Sequence, residues 1–245
     1  MLWPLSRLWP DNLGPFMRHE RWQTALFLHW ALPAALIQAL LPPGLVVDDA
    51  LEAQHGGGQP PGMAWLGLVL LSELGVGPAG CLRRWSPLVD HHGANVRVYV
   101  RGPDGPGIFF LSLECSSLLA AAGARLMAIP YWPASMARSE STDDTGERSY
   151  QLTGRRWFSS AAAVKCRWSV AVAGGTALGE RQQTDNTESW ARQGRYFVER
   201  YRLYTFRGGL YSGTIAHRPW LTVPAQVAEL EQTLTGEVRH AATAS

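Results

Sequence analysis

The feature that most constrains the fold is a pair of strand-like segments joined by a turn rich in glycine and proline. The first segment, NVRVYVR at Asn95–Arg101, alternates valine with polar or aromatic residues, and IFFLSLEC at Ile108–Cys115 follows the turn GPDGPG. Alternation with period two is typical of a strand with one buried face. The two segments therefore predict a β-hairpin with a long turn. We expect one face of its first strand to carry Val96, Val98 and Val100, and the other to carry Asn95, Arg97, Tyr99 and Arg101.

Two further hairpins predict a chain that is mostly β. YWPASMARSE and RSYQLTGRRW flank the polar turn STDDTGE, and RYRLYTF and LYSGTIAH flank RGG, whose glycines supply the positive φ of a tight turn. Helical patterns are fewer: PAALIQALL from Pro33, Ser116–Ile129, TESWARQGRYFVE from Thr187 and PAQVAELEQTL from Pro224. In the last of these, apolar residues recur at helical spacing. The sequence predicts an α+β fold that is mostly β.

Length and charge indicate one globular domain without a nucleic-acid partner. The 245 residues are 46% hydrophobic, a size and composition typical of one β-rich domain. We expect an irregular segment at 1–20, one domain at 21–235 and a flexible tail at 236–245. The 22 basic and 20 acidic residues give a charge of +2 without a basic run, so we expect no nucleic-acid surface.

The N-terminal segment and the apolar runs predict a cytoplasmic protein with no membrane partner. Prolines and charges interrupt MLWPLSRLWPDN, which therefore lacks the apolar core of a signal peptide. The longest apolar run, Ala64–Leu71, is too short to cross a bilayer. Three widely spaced cysteines form no CxxC motif, so we expect reduced thiols and no disulfide framework.

Three motifs that carry chemistry in other proteins are weak in this context. GVGPAG at Gly75–Gly80 matches GxGxxG, but Pro78 lies inside it and no helical pattern follows, so we expect a loop rather than a nucleotide site. His91 and His92 are neighbours, so on an extended segment they point to opposite faces. We expect no metal site and no cofactor there, because such sites need three or four convergent ligands. The absence of GxSxG weakens a hydrolase.

Lys165 is the one lysine of the chain and leaves two interpretations open. A lone lysine in an apolar sheet can have a depressed pKa and form a Schiff base. In AVKCRW, however, Lys165 shares its strand face with Ala163 and Arg167, and the arginine indicates contact with solvent. We favour a solvated lysine and keep the Schiff base as the alternative.

Several short segments, in the same order along the chain, together resemble one family. FLHW, LLPPGL, AWLGLV, NVRVYVR, FFLSLE, IPY, ERYRLYT and GLYSGTIAHRPW are similar to the YqjF-like proteins, an uncharacterised bacterial family. The similarity covers residues 22–235. That family is similar in fold to acetoacetate decarboxylase, so the resemblance implies an antiparallel, partly closed β-barrel with a few peripheral helices and an internal cavity.

The sequence departs from acetoacetate decarboxylase at the reactive residue. That enzyme acts through one lysine of a Lys-Lys pair, whose depressed pKa lets the amine attack a ketone. Order along the chain would put the pair near IPYWPASM, which contains no lysine. Gly93 stands where relatives tend to carry an acidic residue, and Glu114 replaces the aspartate of the family's SLD. The resemblance therefore does not imply Schiff-base chemistry by the family's route.

The matched segments leave seven polar residues as candidates to line the cavity. The ligand-binding candidates are Asn95, Arg97, Tyr131 and Tyr204, and the catalytic candidates are His29, Glu114 and His217. An interior Arg97 must be paired, because an isolated buried charge is costly, and Glu114 on the returning strand is the nearest candidate partner. These residues form either a buried network that fixes the barrel's register or a clamp for a small carboxylate.

Two histidines next to tryptophans leave a similar choice. His29 and His217 each end a predicted strand, where the ring either packs on the neighbouring indole or acts as a general base or acid. Our first functional hypothesis is a barrel that binds or transforms a small keto or carboxylic acid without a Schiff-base lysine. The alternative is a non-catalytic ligand-binding or structural protein, and a homo-oligomer fits either hypothesis.

Overall fold

Strands make up most of the chain that can be described. The computed structural model describes residues 17–18, 21–48, 62–75, 77–78, 89–144, 146–159, 162–170, 194–214 and 222–236. Its strands are β1 (Met17–Arg18), β2 (Arg21–Pro33), β3 (Val46–Val47), β4 (Met63–Leu74), β5 (Gly77–Pro78), β6 (His91–Gly102), β7 (Gly105–Cys115), β8 (Tyr131–Thr142), β9 (Arg148–Arg156), β10 (Ala163–Val170), β11 (Arg202–Phe206), β12 (Leu210–Thr214) and β13 (Gln226–Gln232). Its helices are α1 (Ala34–Gln38), α2 (Leu118–Leu126) and α3 (194–198).

One curled sheet contains most of these strands. Its hydrogen-bonded order is β13-β10-β9-β8-β7-β6-β4-β2, with β3 on β6 and the β11–β12 hairpin beside β7. In the described part of the chain, β2 and β13 end this order. The prediction of a mostly β fold with few helices is confirmed, but the sheet is a curled half-barrel and not a closed barrel.

The sheet is also not purely antiparallel. β8 runs parallel to β7 from Leu113 to Cys115, and β11 runs parallel to β7 at Ile108 and Phe109. Parallel neighbours need a crossover connection, which α2 supplies between β7 and β8. The helix predicted at Ser116–Ile129 thus brings the chain back beside the end of β7, so that β8 runs in the same direction as β7.

All three predicted hairpins are present. β6 pairs with β7, β8 with β9, and β11 with β12. The β6–β7 turn is tighter than expected, because Gly102 already pairs with Gly105. A Cβ on Gly102 would lie 2.5 Å from the Tyr204 ring, so this close approach requires glycine.

The C-terminal helix predicted from Pro224 is wrong, because this segment is strand β13. Gln226–Gln232 pairs antiparallel with β10, and Leu230 packs against the core opposite Cys166. The segment has residues of high helix propensity, but propensity is a weak prior that tertiary contacts override. Pairing with the free edge of β10 supplies those contacts.

The two faces of the sheet pack into separate apolar clusters. The larger cluster joins Leu68 and Val96 of the central strands to Leu152 and Trp168 of β9 and β10. Strands that are distant in the sheet order meet there, so this face is the inside of the curl. The smaller cluster lies on the outer face, where Tyr99 and its neighbours pack under α3.

The described helices are short. α1 follows Pro33 as predicted, and α2 begins after Ser117, whose hydroxyl accepts a hydrogen bond from the backbone N–H of Ala120 at 3.2 Å. α3 lies within the helix predicted from Thr187, the start of which is outside the described residues. Of the helices in the described ranges, none combines the length and apolar character needed to cross a membrane.

Candidate functional site

The predicted site residues within the described ranges lie on two faces of the sheet and do not form a single site. Asn95 and Arg97 face outwards from β6, whereas Glu114 pairs with Ala94 and faces the inside of the curl. The expected Arg97–Glu114 pair is therefore wrong. A β-bulge is the reason: the register shifts just before Arg97. Without that shift, Glu114 would lie opposite Gly93 and on the face of Arg97.

The outer face holds a polar group that we call the arginine–tyrosine network, made of His29, Arg97, Tyr99 and Phe197. Arg97 donates from Nε and Nη2 to the Tyr99 hydroxyl at 3.2 and 3.0 Å, and from Nη2 to the Phe197 carbonyl at 2.8 Å. Nε2 of His29 lies 2.7 Å from the same hydroxyl, and its ring stacks on Phe197 with centroids 3.7 Å apart. Gly67 gives room for this packing, because a Cβ there would lie 3.3 Å from both Arg97 and His29.

This network surrounds a buried guanidinium with uncharged groups. Arg97 is buried, and no carboxylate within the described residues lies at ion-pair distance from it. Its charge instead faces the rings of Phe27 and Tyr99, at 5.3 and 5.5 Å. Burial, and secondly the charge of Arg97, lower the pKa of His29 to about 2. His29 is therefore a neutral member of the network at physiological pH.

An ionic group that the sequence did not reveal lies beside this network. The buried carboxylate of Asp48 contacts Arg101 Nε at 3.1 Å and Arg200 Nη1 at 3.0 Å. Arg200 also lies 3.9 Å from the centre of the Tyr196 ring. Asp48 follows the short strand β3, and an acidic residue directly after an apolar strand was the signal available in the sequence.

Asn95 and Tyr204 form no described hydrogen bond with the arginine–tyrosine network. Asn95 is buried on the outer face, and Tyr204 donates its hydroxyl to the carbonyl of Gly105 at 2.7 Å. That bond holds the β11–β12 hairpin against the β6–β7 turn. His217 lies outside the described residues, so its role stays a prediction.

Tyr131 joins a second buried group on the outer face. Burial raises the pKa of its hydroxyl well above the usual range, and Glu73 and Cys115 raise it further. The ring of His91 meets Tyr131 edge-on at 6.0 Å, and its Nε2 lies 3.7 Å from a Glu73 oxygen. His92 points to the other face, as the alternation predicted.

A bridge of polar side chains spans the inside of the curl. Arg138 of β8 donates from Nη1 to the Ser72 hydroxyl at 3.3 Å and from Nη2 to Thr24 on β2. Nδ1 of His92 lies 2.8 Å from the same Ser72 hydroxyl. Burial, then Arg138 and His91, lower the pKa of His92. The bridge ties β8 to β2 and β4, and in the described residues no three His, Cys, Asp or Glu side chains form a group that could hold a metal ion.

The inside of the curl also holds a group that we call the glutamate–arginine cluster, made of Ser112, Glu114, Trp132 and Arg156. Arg156 donates from Nε to Glu114 Oε1 at 3.0 Å, and its Nη2 donates to the same oxygen. Nη2 also donates to the Ser112 hydroxyl, at 2.5 Å. Ser112 donates to Glu114 Oε1 at 2.8 Å. Trp132 pairs with Glu114 across the parallel strands, and its ring centre lies 4.8 Å from the Arg156 guanidinium carbon.

Two atoms of this cluster remain without partners in the described part of the chain. Glu114 is 1% exposed, and its Oε2 accepts no hydrogen bond. Burial raises the pKa of Glu114, against the opposing effects of Arg156 and Ser112. Nη1 of Arg156 donates no hydrogen bond within the described residues, and the side chain is 19% exposed. Arg156 can therefore hold Glu114 with one edge and a second anion with the other.

Arg156 lines an open depression at the end of the half-barrel. The depression has a volume of about 480 Å³ between α2, the start of β8 and the β9–β10 turn. Arg125 lies on the α2 side with its guanidinium carbon 4.5 Å from the Trp132 ring centre, and Trp157 and Phe158 lie on the turn side. Sequence reasoning missed this site, although RRW at the end of a predicted strand was a visible signal.

Lys165 is an exposed, ion-paired residue and does not belong to this cluster. Its side chain is 44% exposed and forms an ion pair with Glu229 of β13, which Arg167 also approaches at 3.6 Å. The hydrogen bond and charge of Glu229 raise the pKa of Lys165. The prediction of a solvated lysine is confirmed, and the alternative with a depressed pKa is wrong.

Comparison with known sequences identifies relatives over nearly the whole chain. The model of the DUF2071 family, described as an uncharacterized conserved protein, matches residues 19–244. The uncharacterized protein YqjF of Bacillus subtilis is 30% identical over 234 residues, which is 92% of this chain and 82% of that protein.

Comparison with solved structures finds more distant similarity. An acetoacetate decarboxylase from Legionella pneumophila is 14% identical with a TM-score of 0.45, over 78% of this chain and 58% of that one. An acetoacetate decarboxylase-like enzyme from Sphingomonas wittichii RW1 is 12% identical with a TM-score of 0.42, over 74% of this chain and 61% of that one. The enduracididine biosynthesis enzyme MppR, complexed with pyruvate, is 12% identical with a TM-score of 0.40, over 83% of this chain and 65% of that one. The chain spans less than two thirds of the length of these solved proteins.

Proposed function

The chain belongs to the DUF2071 family, as its resemblance to the YqjF-like proteins indicated, and we propose that it binds a small carboxylic or keto acid in front of Arg156. One observation carries the proposal. Glu114 and Ser112 hold Nε and Nη2 of Arg156, while Nη1 has no hydrogen-bond partner in the described residues at the wall of an open depression. A guanidinium fixed along one edge is pre-organised to bind an anion along the other.

The charge balance around the depression favours a carboxylate. Arg125 and Arg156 both lie within 5 Å of the Trp132 ring centre, and Glu114 is the carboxylate paired with Arg156. Arg125 has no carboxylate partner within the described residues. Two guanidinium groups and one carboxylate leave an excess positive charge, which an anionic ligand balances.

Binding without a Schiff base agrees with the chemistry of the lining residues. The described lining of the depression contributes arginines, serine hydroxyls and apolar groups, while Lys165 forms its ion pair on β10. Conversion of the ligand would require a proton donor or acceptor. Glu114, directly behind Arg156 and with its pKa raised by burial, is the group nearest to that role. A non-catalytic binding protein is the alternative in which Glu114 only positions Arg156.

The test is ligand binding by the intact protein. Native mass spectrometry of the purified chain reveals a retained ligand, and a thermal-shift and calorimetric screen of acetate, pyruvate and acetoacetate measures stabilisation. The double variant Glu114→Gln with Arg156→Gln removes both charges together and should lose acid binding while still folding. Arg167→Gln, an exposed arginine on β10, is the matched control and should keep it. A wild-type protein that neither retains nor binds any of these acids would refute the proposal.

A further inference from the structure

We infer that the acid bound at Arg156 carries an aromatic ring, so that its substrate class is aryl carboxylic or aryl keto acids. This inference rests on the proposed function and concerns the same depression. It comes from the part of the lining that an acid of two to four carbons would leave uncovered.

The wall beyond the arginines is built of exposed aromatic side chains. Trp132 is 37% exposed, Trp157 is 40% exposed and Phe158 is fully exposed, and all three line the depression. Across from them, Leu118 at the start of α2 is 56% exposed. Apolar groups of this size, gathered around one concave surface, mark a binding site for an apolar group.

The orientation of the Trp157 ring is set before any ligand binds. Its indole N–H donates to the Ser135 hydroxyl at 2.9 Å, and its backbone N–H donates to the carbonyl of Pro133 at 2.9 Å. Phe158 meets it edge-on with ring centroids 6.4 Å apart. A ring held in this way offers its remaining face to a second ring at a small entropic cost.

Phe158 occupies a conformation that a bulky residue rarely adopts. Its φ is 56°, in the left-handed region, and its side chain has no cover from the described chain. Such a conformation costs free energy, and it is concentrated at ligand-binding and switch regions. A ligand ring that packs on Phe158 would compensate this cost.

The polar and apolar parts of the depression match the two ends of an aryl acid. The carboxylate end is Arg156 with Arg125, and the apolar end is Trp157 with Phe158 and Leu118. The volume of about 480 Å³ falls within the range of roughly 300–1,000 Å³ found for pockets that hold drug-sized ligands. A three-carbon acid would fill only the charged end.

The experiment compares affinities for pyruvate and phenylpyruvate by titration calorimetry on the full chain. We expect phenylpyruvate to bind about tenfold more tightly, because its ring packs on the aromatic wall and is buried there. Trp157→Ala should remove this gain by weakening phenylpyruvate binding more than pyruvate binding, and Trp157→Phe should restore most of it. Phe206→Ala, an aromatic residue of similar exposure on β11, is the matched control and should change neither affinity.

Comparison of ligands on the wild-type protein keeps the inference testable if Trp157→Ala does not fold. Phenylacetate should bind more tightly than cyclohexylacetate, and phenylacetamide, which lacks the charge, should bind much more weakly than either. Equal affinity for pyruvate and phenylpyruvate would overturn the aryl inference and leave the proposed function intact. An amide that binds as tightly as the acid would also overturn it, because the depression would then be an apolar docking surface. If no acid binds, the proposed function fails as well.

Discussion

Arg97 and Arg156 lie on opposite faces of the same sheet, and different groups surround their charges. Arg97 is buried among a hydroxyl, a carbonyl and aromatic rings, without a carboxylate in the described residues. Arg156 is 19% exposed, is paired with Glu114 and borders a depression. The comparison separates a guanidinium that packs α3 on the sheet from one that we propose binds a ligand.

The two sites also differ in the sign of their response to pH. In the arginine–tyrosine network, burial lowers the pKa of His29 to about 2, so the neutral ring belongs to the folded state. In the glutamate–arginine cluster, burial raises the pKa of Glu114, so the protonated carboxyl is favoured more than in the unfolded chain. Lowering the pH therefore destabilises the folded state through His29 and stabilises it through Glu114.

Arg156→Gln tests the second site and should have the largest effect. It leaves the Glu114 carboxylate buried without a cation, which costs about 3–5 kcal/mol of the free energy of unfolding. Urea denaturation at neutral pH measures this loss. Adding Glu114→Gln should recover most of it, because the buried charge is then removed. A double variant no more stable than Arg156→Gln alone would show that Arg156 acts through packing and not through Glu114.

Arg97→Met tests the first site and should have a smaller effect. It removes charged hydrogen bonds to the Tyr99 hydroxyl and the Phe197 carbonyl but strands no carboxylate. We expect a loss of about 2–3 kcal/mol in the free energy of unfolding and unchanged affinity for pyruvate and phenylpyruvate. Arg167→Met on the exposed surface of β10 is the control. Unchanged stability together with lost acid binding would make Arg97 the ligand clamp and reverse the comparison.

The pH dependence of stability should reveal the opposite signs directly. The folded pKa of His29 lies below its ordinary value of 6.5, so its contribution is present above that value and is lost as the pH falls. Between about pH 7 and pH 5 this group alone should cost about 2 kcal/mol. His29→Gln should flatten that part of the urea-derived profile.

Glu114→Gln should steepen the same profile. The folded pKa of Glu114 is raised, so its contribution is present below its ordinary value of 4.5 and is lost as the pH rises. The variant lacks this stabilising contribution, which increases as the pH falls. A parallel profile for either variant and the wild-type protein would contradict the assigned protonation states.

Local pattern predicted the hairpins, whereas longer-range pairing decided the rest of the sheet. The alternation at Asn95–Arg101 specifies which residues share a face, and the structure keeps those faces. Gln226–Gln232 carries a helical pattern and still forms a strand, because it lies along the open edge of β10. The residues that form that edge lie about 60 positions earlier in the sequence, so no local pattern in Gln226–Gln232 indicates the pairing.

The site was harder to predict than the fold for a similar reason. The sequence indicated that Arg97 and Glu114 occupy a hairpin, but one bulge residue in β7 moves Glu114 to the other face. Its true partner, Arg156, is 42 positions away on a strand that α2 and β8 bring round the curl. Alternation predicts which side chains of neighbouring strands lie on the same face only where no bulge shifts the register.

A third charged group, Lys165 with Glu229, should have the smallest effect of the three. Both side chains are substantially exposed and lie on β10 and β13, away from the two arginine sites. Exposed ion pairs contribute roughly 0–1 kcal/mol, so Lys165→Met should leave stability and acid affinity almost unchanged. The raised pKa keeps the amine protonated near neutral pH, and a protonated amine does not attack a ketone. Borohydride reduction in the presence of pyruvate should therefore leave the mass of the wild-type protein unchanged, with Lys165→Met as the control. An adduct on wild type that Lys165→Met abolishes would establish Schiff-base chemistry at β10.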